Sequence, residues 1–167
     1  MSPASQATIG FITNYGHRLN SNDFLHQMDQ CFGDGDFFEN QSNPRLVQEF
    51  LDTAVNFPDE SFDGALAWDS LQFLASPLLQ TVVGRLHRAL KPGSSLLALF
   101  HTDERVDVIP TSAYRIQDHK TIQMIPRGYR KPAQLFNNRS LERLFQEFQS
   151  VKFFLTRDHL REVIVRR

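Results

Sequence analysis

Between Phe62 and Thr102 the chain holds two short apolar runs separated by an amphipathic stretch, and this block limits the fold more than any other. The first run, Phe62-Asp63-Gly64-Ala65-Leu66-Ala67-Trp68-Asp69, is mostly apolar and bounded by acidic residues, which predicts a strand buried on both faces. After Ser76-Pro77, the residues Leu78, Leu79, Val82, Val83, Leu86 and Leu90 recur at helical spacing. Pro77 near the first turn and Gly93 just past the end bracket that helix. A second strand follows over Ser95 to His101. A strand, a crossover helix and a second strand imply parallel pairing with a right-handed connection, because a two-residue hairpin cannot join parallel strands. The fold class is therefore α/β.

With 167 residues the chain has the length of one domain, residues 1–167, and enough material for a substantial core. Its 18 basic and 19 acidic residues nearly cancel, which argues against bulk attraction to nucleic acid or to an anionic membrane surface. Cys31 stands alone, so it forms no intrachain disulfide and no zinc site by itself, and a reducing cytoplasm is the natural compartment. No apolar run approaches membrane-spanning length, and the first five residues lack the basic-then-apolar pattern of an export signal. Most of the 15 phenylalanines are expected in the core.

Taken in order, the chain opens with a loop of small residues, then a helix from about Ala7 with Ile9, Ile12 and Tyr15 on one face and Gly16 closing it. Residues 17–23 read as a second strand, and Asp23 as an N-cap for a helix through Leu25, Met28 and Phe32. Gly33-Asp34-Gly35-Asp36 is a solvated turn; the following Phe37-Phe38 does not supply the ligands of a calcium loop. Asn43-Pro44 starts a helix with Leu46, Val47, Phe50 and Leu51 inward. A further strand has two candidate locations, Thr53 to Phe57 and Phe37-Phe38, or is missing. Residues 113–125 predict a β-hairpin turning near Asp118-His119, followed by a basic loop with Arg127, Arg130, Lys131 and Tyr129. That loop is read as solvated charge rather than as an anion site. Asn138 is expected to cap a last helix with Leu141, Leu144, Phe145 and Phe148 inward, before two strands, Val151 to Leu155 and Glu162 to Val165.

Phe62-Asp63, the strand ending in Trp68-Asp69, the helix ending in Leu90-Lys91-Pro92-Gly93 and the strand after it resemble the fourth and fifth strands of class I S-adenosylmethionine-dependent methyltransferases. The resemblance implies a Rossmann-like three-layer sandwich, a mostly parallel sheet with an antiparallel C-terminal hairpin. It also implies a central first strand ahead of the opening loop, which is missing or replaced here, and a glycine-rich cofactor loop where this chain has Ser2, Ala4 and Gln6. Unpaired buried backbone groups beside an absent strand would each cost about 1–3 kcal/mol. Three explanations are open: a start site too far downstream, a strand donated by another chain, or a sheet closed over the gap.

By the same resemblance, S-adenosylmethionine would bind across Pro3, Ala4 and Ser5, the strand end at Asn22 and Asp23, and the strand end at Trp68 and Asp69. Asp23 has the competing role of helix cap. Ligands of open α/β sheets sit at the carboxyl ends of the strands, so Trp68, Asp69 and His101 are expected to converge on one crevice. Methyl transfer relies on alignment more than on acid–base groups, with Asp69 or His101 placed to take a proton from the acceptor. Residues near the hairpin would shape the substrate, as insertions at this point do in related methyltransferases. The expected acceptor is a small molecule or a protein, nucleic acid is disfavoured by the charge balance, no metal is implied, and an exposed sheet edge invites homo-oligomerisation. The alternative is a degenerate methyltransferase-like domain that acts as a partner subunit or scaffold.

Overall fold

The computed structural model describes residues 4–103, 105–156 and 159–167. The predicted block folds as read: β1 (Phe62–Trp68), a 3-10 turn (Ser70–Phe73), α5 (Ser76–Ala89) and β2 (Leu90–His101), with β1 and β2 parallel. Ala65 lies opposite Leu96 and Leu66 opposite Leu97. Strand β2 begins directly after α5, and Gly93 within it adopts φ 83°, a left-handed conformation that glycine reaches without a Cβ penalty.

The preceding helices are α1 (Gln6–Asn14), α2 (Phe24–Phe32), α3 (Phe37–Asn40) and α4 (Pro44–Ala54). Their starts follow local chemistry. Ser5, Asp23, Asp36 and Asn43 each accept from backbone N–H groups of the first turn, which otherwise have no intrahelical partner. Gly16 closes the first helix at φ 81°. Two expectations for this region are corrected. Residues 17–23 form no strand, because they are polar, mostly exposed and lie against no paired strand. Phe37-Phe38 is the start of α3, and the Thr53 to Phe57 segment is the end of α4 and a connecting coil, so neither is a strand and, of the three alternatives, a missing strand is the one left among the described residues.

The rest comprises β3 (Ile109–Ile116) and β4 (Ile122–Arg130), α6 (Asn138–Leu144), β5 (Ser150–Leu155) and β6 (Leu160–Arg166). Asn137, not Asn138, is the N-cap of α6: it forms a reciprocal capping box with Ser140. The basic residues Arg127 and Arg130 lie in β4 rather than in a loop. Of the residues expected to join β5 and β6, Arg157 and Asp158 lie outside the described residues.

The main sheet has the order β1-β2-β6-β5. Its α/β, Rossmann-like class and its antiparallel C-terminal hairpin β5-β6 stand, but the expectation of a mostly parallel sheet is corrected: parallel pairing is confined to β1 and β2, and β2-β6 and β6-β5 pair antiparallel. Strands β3 and β4 form a separate antiparallel pair. Because successive strand residues face opposite ways, β2 feeds two cores. Leu96, Ala98 and Phe100 join a large cluster with residues of α2, α4, α5 and α6; its wholly buried phenylalanines are Phe24, Phe32, Phe50, Phe73, Phe100 and Phe145. Leu97 and Leu99 face a small cluster with Trp68 and Tyr114. The hairpin therefore covers the face of the sheet opposite the helices, with α1 lying against β3. No helix among the described residues is long and apolar enough to cross a membrane.

Candidate functional site at the carboxyl ends of β1 and β2

Strand β1 ends in an unusual backbone. Trp68 has φ 49°, a left-handed conformation costing a non-glycine residue on the order of 1 kcal/mol or more, and such strain persists only where surroundings hold it. Two contacts hold it here. The Trp68 ring stacks on Tyr114 of β3, centroids 4.7 Å apart and planes within 5°, and the Ser70 hydroxyl donates to the Ala67 carbonyl at 2.6 Å.

Asp69 precedes the 3-10 turn but makes no side-chain cap bond to it. Its carboxylate instead accepts from the Ser112 N–H at 3.4 Å and from the Tyr114 hydroxyl, and only 3% of the residue is exposed. Burial pushes its pKa up to about 6, against the smaller opposing effects of Ser112 and Tyr114. Tyr114 is raised in turn, by burial first and then by the Asp69 charge.

His101, at the end of β2, is half-buried. Burial and the neighbouring His159 lower its pKa, with Asp103 opposing, so its imidazole is neutral at neutral pH. Asp103 itself is held far below the usual carboxylate range by Arg105, which bonds it with two nitrogens at 2.8 Å. Gln72 ties the two strand ends together. Its Oε1 accepts from His101 N–H at 2.9 Å, its Nε2 donates to the Asp69 carbonyl at 3.0 Å, and its own carbonyl accepts from Ala133 N–H at 2.9 Å.

The expected first-loop residues fall on the same side through other contacts. Ala4 N–H donates to Ser21 Oγ at 2.8 Å, bringing the opening loop beside Asn22 and Asp23. Ser5 caps α1 and contacts Thr8 Oγ1 at 3.1 Å, and that hydroxyl accepts from Ile116 N–H of β3 at 3.0 Å. Asn22 donates to the Ala54 carbonyl at 3.5 Å. Asp23 caps α2 and lies 3.5 Å from Arg127 of β4, so the capping role is the one formed; with no strand there, neither residue sits at a strand end. Pro3 lies outside the described residues. Arg130, the other basic residue of β4, pairs with Asp29 and lies over the rings of Phe37 and Phe73.

Tyr114, Ser112, Gln72 and Thr8 are the site residues that sequence reasoning missed. Gln72 had a signal, a lone amide within the apolar run Leu71 to Leu74 just past a strand; the other three had none, because their roles depend on where the hairpin docks. A cleft of about 460 Å³ opens nearby between the first turn of α1 and β3-β4, lined by Ser5, Gln6, Ala7, Arg115, Gln117 and Gln123. A second, of about 520 Å³, lies between α5 and α6. Neither is lined by Trp68, Asp69 or His101.

The model of a family described as "Methyltransferase domain" matches residues 8–98, more than half of the chain. No curated protein matches significantly. Among solved structures, a SAM-dependent methyltransferase from Methanosarcina mazei is similar over 68% of this chain and 63% of its own, at 19% identity and a TM-score of 0.42. The 1,6-didemethyltoxoflavin-N1-methyltransferase of Burkholderia thailandensis, solved with S-adenosylhomocysteine, is similar over 65% of this chain and 45% of its own, at 17% identity and a TM-score of 0.41. An S-adenosylmethionine dependent methyltransferase from Mesorhizobium loti covers 68% and 66%, at 15% identity and a TM-score of 0.43. The chain thus spans less than two thirds of the length of each of these three structures.

Proposed function

The chain belongs to the methyltransferase-domain family, and from that premise we propose that it binds S-adenosylmethionine at the carboxyl ends of β1 and β2 and transfers its methyl group to a small-molecule or protein acceptor. The observation that carries this reading is that the family match covers β1 and β2 as far as Ala98, so it includes Trp68 and Asp69 and stops three residues short of His101.

The chemistry of the residues fits such a ligand. Asp23 offers a carboxylate acceptor for hydroxyl and ammonium groups and Asn22 an amide, and with Tyr114 displaced Asp69 would offer a second carboxylate and Trp68 a flat apolar face for a purine. S-adenosylmethionine supplies an electrophilic methyl group on a sulfonium, so the protein's work is alignment, exclusion of water and, for a hydroxyl or ammonium acceptor, removal of one proton. Two groups suit the last task. His101 is neutral at neutral pH, and Asp69, with its pKa near 6, is mostly ionised there yet basic enough to accept a proton. Gln72 positions both by holding the backbone of each in one frame.

One observation favours a second reading, a non-catalytic domain acting as a partner subunit or scaffold: Trp68 and Asp69 are 5% and 3% exposed beneath the hairpin. Calorimetric titration of the chain with S-adenosylmethionine and S-adenosylhomocysteine separates the two. The methyltransferase reading expects dissociation constants near micromolar, about −8 kcal/mol. A folded protein that binds neither is the scaffold.

A further inference from the structure

Trp68 and Asp69 lie under the β3-β4 hairpin, which touches the sheet through one face of β3, where Thr111, Ser112 and Tyr114 are buried, while β4 is largely exposed. At its base it is rooted in the large core: Ile109 is wholly buried on the incoming side and Phe136 nearly so on the outgoing side, where Arg161 also donates to the Phe136 carbonyl at 2.8 Å. Beyond the base the attachment thins. The small cluster under the hairpin has only Trp68, Leu99 and Tyr114 buried, with Leu66, Leu97 and Ile116 partly so. Around it run the 3.4 Å bond from Ser112 to Asp69, the 3.0 Å bond from Ile116 to Thr8, and the ion pairs Arg127–Asp23 and Arg130–Asp29, whose side chains are a quarter to a half exposed. As charge pairs these contribute little; Arg130 also lies over the rings of Phe37 and Phe73, which places the firmer part of this attachment at the base of β4. The tip, Gln117 to Thr121, is exposed, as are Ile122, Met124 and Tyr129 of β4. A segment with a firm root, a thin seam and a free tip is the kind of unit that opens well below the free energy of global unfolding.

We propose that the β3-β4 hairpin is a cover, latched by Tyr114 on Trp68 and Asp69 and by Ile116 on Thr8, that lifts from the carboxyl ends of β1 and β2 to admit a ligand. The purpose of the opening rests on the methyltransferase reading; the opening itself does not. It also explains how a family member can present a well-built strand end with almost no accessible surface: the closed state shields the reacting groups from water, and the open state loads them.

Native-state hydrogen exchange of the full chain without ligand tests the opening. The amides of Ser112, Tyr114 and Ile116 should exchange roughly a hundredfold faster than those of Leu97 to Phe100 in β2, as a sub-global unit does. Tyr114→Ala should accelerate the hairpin amides by a further tenfold or so and leave β2 and β6 unchanged. Thr8→Val, which removes the acceptor of Ile116 N–H far from the aromatic stack, should do the same to a smaller degree if Tyr114→Ala does not fold. Equal exchange of hairpin and sheet, with every variant accelerating both together, would overturn the cover. The sole tryptophan then reports on loading: S-adenosylhomocysteine should change Trp68 emission as its stack on Tyr114 is broken. Binding with emission and hairpin exchange both unchanged refutes the cover and leaves the functional reading standing. Absence of binding, with the hairpin still exchanging as a separate unit, refutes the functional reading and leaves the cover standing.

Discussion

Asp69 gives the molecule a pH dependence whose sign can be worked out. Its folded pKa is raised to about 6 from an ordinary value of 3.8, so the folded state binds this proton more tightly than the unfolded chain. The associated stability is fully present below about pH 4 and is lost as the pH rises through about 6, a change of about 3 kcal/mol. Urea unfolding of the native chain and of Asp69→Asn at pH 4, 5, 6 and 7 should show a difference between the two that shifts over this interval and is flat above it. A constant difference would mean that the carboxylate is solvated. Gln72 makes the complementary prediction. Gln72→Ala leaves the His101 N–H and the Asp69 carbonyl without their partner, and should cost about 2–3 kcal/mol by urea unfolding. If Gln72 positions the two candidate bases, its loss should also lower turnover more than ligand affinity.

Among the elements, what was legible in the sequence was what local chemistry determines. The apolar spacing of Leu78 to Leu90 sufficed for α5, because helix period and burial coincide there. Asn43-Pro44 and Asp23 marked helix starts because a cap acts within its own turn. Residues 17–23 misled because a short stretch with poor alternation becomes a strand only if a neighbour pairs with it, and here none does. The last helix was displaced by one residue, since Asn137 and Asn138 are equally good caps in isolation and only the Ser140 partner selects the first. That selection is measurable. Asn137→Ala should lower stability by about 1 kcal/mol, whereas Asn138→Ala should stay within about 0.5 kcal/mol, both by thermal or urea unfolding. Equal effects would contradict the capping box.

At the scale of the whole molecule, the strand ends could be inferred from the order of strand, helix and strand, but their environment could not. Asp69 meets Ser112 across 43 residues, Thr8 meets Ile116 across 108 and Arg130 meets Asp29 across 101. Contacts of that range depend on how the hairpin folds over the sheet, which no local pattern records. The hairpin itself was predictable; its docking over Trp68 was not. The docked hairpin joins the candidate residues Ser5, Asp23, Trp68 and Asp69 to one element, through Thr8, Arg127, Tyr114 and Ser112, while His101 is tied in through Gln72. A ligand of this family is expected to bind within that ring of contacts. The most direct measurement is a hydrogen-exchange footprint of the chain saturated with S-adenosylhomocysteine. Slowed exchange is expected at residues 66–72, at 99–103 and at 21–24 together. Protection confined to the groove between α5 and α6, or absent from all three segments, would contradict it.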